Sequence, residues 1–407
     1  MAKHRTKPLK PRDIQGLKYL DRLLPLLDRL HEDGCQRDKA GNRCLHYDQY
    51  CMLVLLYLFN PVIRSLRALQ QASTLNNVQR KLGCSRTSLG SLSEAVEVFD
   101  PQRLCAIIEI LAAEVEPVRD VRQGHLKQKL MAVDGSVVKT LKSIAEAAFM
   151  TDRSGGSHSG WRMHTHFDID RHVPSRIEVT PGSSRKHNDE KYRLRKSLLP
   201  DHCYVMDRGY VQFVLWNDIV AAKSSYVCRI RDNSDLDLVV EERAVSKEAA
   251  EAGVLRDIVA NIGTTSKPEA RPNHPVRVIF VKCEPHTRRG SKGAAAGPPS
   301  DGMLRIATNL LDVPAEIIAD IYRHRWTIEI FFRFFKHVLG CRHLLSTHRK
   351  GIEIQAYCAI IACLLISLWT GRKPTLRTYE MVSMYFTGLA TLEELIDHIA
   401  KLKPATD

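Results

Sequence analysis

KLMAVDGSVVKTL, residues 129–141, is the stretch on which the fold turns. Upstream of it apolar residues recur at helical spacing. From Gln128 they alternate and become β-branched around Asp134, so a strand is expected there. SGGSHSG (154–160) reads as a loop, WRMHTHFDID (161–170) as a second strand turned at Asp170-Arg171, and VPSRIEVT (173–180) as a third. Strands in series on short turns predict an antiparallel meander. RKHNDEKYRLRKSLL (185–199) is charged with helical character, and CYVMDRGY (203–210) carries a fourth strand ending on Asp207. VQFVLWNDIVAA (211–222) is a short amphipathic helix and SSYVCRI (224–230) a fifth strand. Three strands, helix, strand, helix, strand is the order of a ribonuclease-H-like α/β fold, a mixed sheet flanked by helices.

Downstream, residues 232–303 break the pattern with charged pieces, one apolar strand (VRVIFVKC, 276–283) and a basic low-complexity loop (HTRRGSKGAAAGPPSDG, 286–302). They are read as an inserted, mainly-β subdomain. MLRIATNL (303–310) returns to the sheet, and Val313-Pro314 begins the helix leading to YRHRWTIEIFFRFFK, residues 322–336. That stretch has no Gly or Pro and is expected as one helix. At about 100° per residue, Tyr322, Arg325, Glu329, Arg333 and Lys336 share one stripe. Ile328, Phe331, Phe334, Phe335 and Val338 form the opposite, apolar face, expected to pack on the sheet. One carboxylate among cations suits a metal ligand beside bound phosphate better than a solvated face, which mixes both signs.

Upstream, residues 1–12 are a basic tail, and Asp13–His31 has helical spacing that Pro25 should kink or break. A helix over Asp48–Phe59 stops at Asn60-Pro61. In VQRKLGCSRTSLGSLSEAVEVF (78–99), Gly83 marks a turn and Ser85 or Thr87 could cap the next helix. Helix, turn, helix with Arg80, Lys81 and Arg86 around the turn suits a helix-turn-helix as well as an ordinary bundle. Residues 351–407 read as helical. The organisation expected is a helical DNA-binding domain (1–125), a catalytic sheet domain (126–231 and 304–350), the insertion (232–303) and a helical C-terminal region (351–407).

Sixty Lys+Arg against 46 Asp+Glu give a net charge of +14, which points to a polyanionic partner, nucleic acid first. Eleven scattered Cys without a CxxC pair argue against a zinc ribbon or disulfide framework and for reduced thiols in the cytoplasm. The basic N-terminus leads into no uninterrupted apolar core, so no signal peptide is indicated. The apolar run Ala356–Trp369 falls short of the roughly 20 residues that cross a bilayer, so no membrane partner is expected.

Asp134 (AVDGS) and Asp207 (VMDRGY) each follow an apolar strand and each precede a Gly within two residues. With Glu329 they could converge on hard divalent cations; Mg²⁺ suits, taking one or two carboxylates plus water and substrate phosphate. Two such ions would activate a water or hydroxyl for in-line phosphoryl displacement. His164 and His166 alternate on one strand face, where a structural role is the simpler reading. Asp189 or Glu190 could approach the metals, but a charged surface helix explains that segment more simply.

The spacing Tyr322, Arg325, Glu329, Lys336, Tyr-x2-Arg-x3-Glu-x6-Lys, resembles the signature of DDE transposases of the insertion-sequence-four family. Asp134 in Asp-Gly-Ser and Asp207 in Asp-Arg-Gly-Tyr are similar to that family's first two acids, and SLRAL (65–69) and VTPG (179–182) to other family segments. The likeness covers residues 60–350. It implies a ribonuclease-H-like catalytic domain that cuts DNA at the ends of a mobile element and joins the freed 3′-hydroxyl to target DNA. It further implies Asp134, Asp207 and Glu329 as catalytic ligands of two Mg²⁺ or Mn²⁺ ions, and Tyr322, Arg325 and Lys336 as phosphate contacts. Arg333 joins them on helix geometry alone. Pairing two element ends makes a homodimer plausible. Some members set an aromatic from the insertion against a flipped base; between residues 232 and 303 the only aromatic here is Phe280. The rival readings are a ribonuclease-H-like nuclease without strand transfer and a DNA-binding derivative that has lost its chemistry. The complete carboxylate set argues against the latter.

Overall fold

The computed structural model describes residues 23–33, 44–117, 124–140, 148–151, 157–181, 188–232, 234, 236, 238–263, 271–283, 302–338, 344–346, 348–371 and 375–402. The basic tail, the loop over 286–301 and the side chains of Arg80 and Lys81 lie outside the described residues. The chain forms two compact units, one of residues 1–116, 173–177 and 331–407, the other of 117–172 and 178–330.

The first unit is helical. It begins with α1 (Leu24–Asp28), α2 (Tyr47–Phe59), α3 (Leu66–Ala72), α4 (Asn76–Leu82), α5 (Leu89–Val98) and α6 (Gln102–Glu114). Pro25 sits in the first turn of α1, where its missing N–H costs nothing, so it starts a helix instead of breaking one. Gly83 ends α4 at φ +62°, a left-handed conformation that favours glycine. The cap of α5 is Ser88, whose hydroxyl accepts from Ser91 N–H at 3.0 Å, and not the expected Ser85 or Thr87. Tyr47 stacks on Phe99 with ring centroids 4.5 Å apart.

The second unit is an α/β layer built on one ten-stranded mixed sheet. Its strands are β1 (Lys129–Thr140), β2 (Ala148–Thr151), β3 (Ser157–Asp168), β4 (Val173–Pro181), β5 (His202–Met206), β6 (Ser225–Arg229), β7 (Leu238–Arg243), β8 (Val254–Asn261), β9 (Val276–Lys282) and β10 (Met303–Thr308). Strand β1 is antiparallel to β3 and parallel to β5, β5 is parallel to β6, and β4 pairs with β3. The order β4-β3-β1-β5-β6 is the ribonuclease-H-like one. Two details differ from expectation. Residues 157–160, expected in a loop, open β3 and pair with the short strand β2. The segment 232–303 supplies β7, β8 and β9, which carry the same sheet onward from β10.

Helices α7 (Glu190–Arg195), α8 (Phe213–Ala221), α9 (Lys247–Glu251) and α10 (Ala315–Arg323) flank the sheet. Trp216 of α8 stacks on Tyr226 at 4.7 Å in a buried cluster with Met131, Val133, Tyr204, Met206 and Cys228. Helix α10 crosses β5, β6, β8 and β9. Its loop is held by a buried pair: Arg277 is bound to Asp257 at 2.6 Å and donates to the carbonyls of Leu310, Leu311 and Val313. Arg243 adds a bond to Leu311 O.

Tyr322–Lys336 is not one helix. Helix α10 stops at Arg323 and α11 (Trp326–Val338) begins three residues later. Across the break, Arg325 N–H bonds Tyr322 O and Thr327 N–H bonds His324 O, three-residue closures of a tighter turn. The Thr327 hydroxyl also donates to His324 O at 2.7 Å, taking an acceptor that a continuing helix would use. The first turn of α11 belongs to the sheet unit and the remainder to the helical unit.

In the helical unit, Phe331, Phe334 and Phe335 are buried as expected. Phe334 and His337 pack edge-on against Tyr379 within that unit. Tyr379 lies on α13 (Leu376–Phe386), which follows α12 (Arg349–Thr370) and precedes α14 (Leu392–Ala400). Helix α12 is longer than its apolar run suggested; over 20 residues it is apolar enough to cross a membrane, yet it is buried against α2 and α6. It is the core helix of its unit.

Candidate active site

The site is built where β5 ends beside β1, which itself runs on past Asp134 to Thr140. The parallel ladder pairs Ala132 with Val205. Two residues further on, Asp134 and Asp207 therefore stand next to each other on one face, opposite the Trp216 cluster that takes Val133 and Met206. Apolar strands buried on both faces carry the two carboxylates to the rim of the sheet. Asp134 Oδ1 accepts from Gly135 N–H at 2.8 Å. Asp207 caps a one-turn 3₁₀ helix (Arg208–Tyr210), accepting from Gly209 N–H at 2.8 Å.

Helix α10 brings the next groups to that face. Arg325, in the break after it, donates to Glu329 Oε1 at 2.7 Å and acts electrostatically on Asp134. Burial pushes the Asp134 carboxyl up to about 7; Arg325 opposes this, and the neighbouring Asp207 and Glu190 carboxylates add to it. Burial also raises the Tyr322 hydroxyl, against the pull of Arg325 and of Arg229 at the end of β6. Trp326 is half exposed, with the Arg325 guanidinium 5.6 Å from its ring centre.

The structure thus joins Asp134 and Asp207, and joins Tyr322, Arg325 and Glu329. It does not draw the three expected carboxylates into one cluster, because Glu329 is occupied by Arg325. Among the described residues no group of three or more His, Cys, Asp or Glu stands ready to hold a metal ion. Arg333 and Lys336 belong to the helical unit, Arg333 exposed and Lys336 half-buried.

Do Asp134 and Asp207 suit a cation? Their donors are hard oxygens, and Asp134 is held at a largely buried spot with the Asp207 and Glu190 carboxylates as neighbours. Two carboxylates are the usual protein share of a Mg²⁺ shell. The residues present fit a divalent cation between them.

His164 and His166 lie on the other face. His164 Nε2 is 2.8 Å from Thr180 Oγ1, and His166 Nε2 is 3.2 Å from Ser197 Oγ. Both rings are buried, the structural role expected for them. Two residues, Arg229 and Arg162, went unassigned in the sequence, and a third, Glu190, was weighed as a neighbour of the metals and set aside. Arg229 ends a strand that looked merely apolar. Arg162 and Glu190 form an ion pair of 2.8 Å beside Gly135, and burial, then Asp207, raises the Glu190 carboxyl despite Arg162. Glu190 had been taken for part of a charged surface helix.

Comparison with known proteins agrees with this chemistry. The model of a family described as the transposase DDE domain matches residues 125–365. A candidate transposase of Sinorhizobium fredii, y4zB, is 27% identical over 217 residues, 53% of this chain and 55% of the relative. A candidate transposase for the insertion sequence element IS5377 of Geobacillus stearothermophilus is 25% identical over 215 residues, 52% of this chain and 50% of the relative. The chain spans about half the length of these curated relatives. A piggyBac transposase solved as a synaptic complex with hairpin DNA aligns with 96% of this chain and 81% of its own at 10% identity and a TM-score of 0.44. That likeness is too distant to add to the strand order.

Proposed function

Since this chain belongs to the family of transposases built on the DDE domain, we propose that it is the transposase of an insertion sequence, cutting the element's ends and joining the 3′-hydroxyl to target DNA. The observation that carries the reading is the pair Asp134, within β1, and Asp207, at the end of the adjacent parallel strand β5, with Arg325 acting on Asp134 and bound to Glu329. The spacing of Tyr322, Arg325, Glu329 and Lys336 supports assignment to the insertion-sequence-four group.

In this reading Asp134, Asp207 and Glu329 hold two divalent ions, Mg²⁺ or Mn²⁺. Such ions supply charge neutralisation at the phosphodiester and make a water or hydroxyl a stronger nucleophile at neutral pH. In the first reaction water attacks the phosphodiester at the element end, the P–O3′ bond breaks and a 3′-hydroxyl is left. In the second that hydroxyl attacks a target phosphodiester, forming one P–O bond as another breaks. The protein's part is positioning and charge. Tyr322, Arg325, Arg333 and Lys336 grip phosphate oxygens. Arg325 Nε is buried without a hydrogen-bond partner in the protein, a donor suited to a phosphate. Glu329 turns from Arg325 to the site once Arg325 has a phosphate to bind. The helical region 1–125 binds the element ends, two copies of the chain pair those ends, and the work is done on DNA in the cytoplasm.

The test is cleavage of DNA that carries the element's terminal repeats, found as short inverted repeats flanking the coding region. Cleavage and joining should require Mg²⁺ or Mn²⁺ and be abolished in Asp134→Asn, Asp207→Asn and Glu329→Gln with DNA binding retained. Binding without cation-dependent cleavage overturns the enzyme reading, and cleavage without joining favours a nuclease.

A further inference from the structure

One acid at the rim of the sheet has no part in the chemistry above. Glu190 opens helix α7 behind its N-cap Asp189, whose carboxylate accepts from Lys191 N–H at 2.8 Å. The antiparallel register sets Gly135 opposite His164 and Val137 opposite Arg162, so Gly135 and Arg162 belong to the face that Asp134 does not use. Glu190 comes to the middle of β1 from that face. Arg162 Nη1 donates to Glu190 Oε1 at 2.8 Å. The side chain then lies directly against the Gly135 backbone. A Cβ at Gly135 would stand 2.9 Å from Glu190 Cγ and would overlap the carboxylate itself. The φ of Gly135 is not in the left-handed region, so here glycine answers to space and not to backbone conformation. Gly135 N–H is the donor that fixes Asp134 Oδ1. A continuous set of contacts therefore runs Arg162, Glu190, Gly135, Asp134.

This arrangement is expensive as a mere structural element. A partly buried carboxylate, paired with Arg162, is set where it interacts unfavourably with Asp134 and Asp207. Apolar packing over Gly135 would hold the strand without that repulsion. The placement has a use if the local field is meant to be negative and the Asp134 rotamer fixed, as the outer partners of metal ligands commonly do. We propose that Glu190, held by Arg162, is a positioning residue that fixes Asp134 through the Gly135 peptide. Its charge raises the site's affinity for a divalent cation without joining the ligands. The proposal rests on the carboxylate-site reading above.

The experiment uses the full chain and Mn²⁺ alone, with thermal stability followed across a titration of the ion, and in parallel the Mg²⁺ concentration for half-maximal cleavage. Glu190→Gln keeps the shape, the contact with Gly135 and a bond to Arg162, and removes only the charge. Its metal-free melting temperature should equal or exceed that of the wild type and its DNA binding should be retained, while the Mn²⁺ midpoint and the Mg²⁺ requirement rise about 10- to 100-fold. Gly135→Ala displaces the side chain and should raise both midpoints as well. Gly135→Ala combined with Glu190→Ala restores the space, yet the metal defect should persist. Recovery of the wild-type Mn²⁺ midpoint in that double variant overturns the charge role, as does an unchanged midpoint in Glu190→Gln. In both cases the wild-type response must be lost in Asp134→Asn. A Mn²⁺ response that survives Asp134→Asn, or none in the wild type, overturns the carboxylate-site reading itself and this inference with it.

Discussion

Arg277→Met tests whether the outer half of the sheet holds the catalytic helix in place. Arg277 is 5% exposed and its partner Asp257 4%. Its Nε and Nη2 donate to the two Asp257 oxygens at 2.9 and 2.6 Å, and its Nη1 donates to Val313 O at 2.5 Å. Methionine keeps much of the packing but strands a buried carboxylate and leaves the Leu310–Val313 carbonyls short of a donor. Removing one partner of a buried pair costs about 3–5 kcal/mol. Arg243 still reaches Leu311 O, which keeps the loss from exceeding that range. For a unit of this size the cost corresponds to a fall in melting temperature of roughly 10 °C. Arg277→Met combined with Asp257→Leu removes the stranded charge and should recover most of the stability. Cleavage should recover less, because the loop that launches α10, and so Tyr322 and Arg325, has still lost its clamp. Denaturant unfolding of the four proteins gives the coupling energy, and cleavage assays below the lowered melting range give the functional half. A loss under about 1 kcal/mol in Arg277→Met refutes the argument, as does full recovery of cleavage in the double variant.

The pH dependence of stability should carry the mark of His164. Burial first, then Arg162 and Arg193, push its imidazole down from 6.5 to about 4. The folded chain keeps it neutral where the unfolded chain protonates it, so its contribution is complete above about pH 6.5 and is lost as pH falls toward 4. The amplitude is ~3 kcal/mol at most, and His164→Asn should flatten that part of the curve; an unaltered curve refutes it. Phe335→Ala empties a fully buried position in the helical unit and should cost about 3–5 kcal/mol, with cleavage falling because α11 also carries Glu329; normal cleavage would mean that the helix is not docked as described. Ser88→Ala should cost about 1 kcal/mol of stability in thermal unfolding through the lost cap of α5. Ser85→Ala should stay within about 0.5 kcal/mol, and equal effects would misplace the cap.

What could be read from the sequence divides along a physical line. Strands β5 and β6 and the first half of β1 were legible because each is a short apolar run buried on both faces, and Asp134 and Asp207 stood out as the charges that follow such runs. The break at His324–Arg325 was not, because no Gly or Pro marks it; a Thr327 hydroxyl competing for one carbonyl leaves no pattern at the scale of a helical turn. The onward run of the sheet through β9, β8 and β7 was hidden as well, since pairing with β10 is a contact that alternation within a strand does not specify. The start of α12 lay ahead of the segment read as helical because Arg349 precedes the apolar run, and its bond to Glu353 at 2.8 Å along the helix leaves no mark in the sequence. Glu190 could be named from the sequence but not preferred: among lysines and arginines it reads as solvated, and its partner Arg162 lies 28 residues away on another strand.

The break in the helix and the Arg325 ion pair have one consequence in common. Had Tyr322–Lys336 been continuous, Arg325 and Glu329 would be successive rungs on one face, each free to reach the sheet. The tighter turn after α10 instead buries Arg325 to 9% exposure, and it binds Glu329 while its charge faces Asp134. A guanidinium so buried is costly unless its donors are used, and its Nε remains unused. Arg325 is therefore the element whose bonding a phosphate would change most. A phosphate oxygen on that donor offsets the charge that now holds Glu329, at the position where a cation between Asp134 and Asp207 would need further oxygen ligands. On the proposed function, a phosphate at Arg325 and a cation at Asp134 and Asp207 should therefore favour each other's binding through charge, an expectation that Mn²⁺ titrations with and without DNA would check.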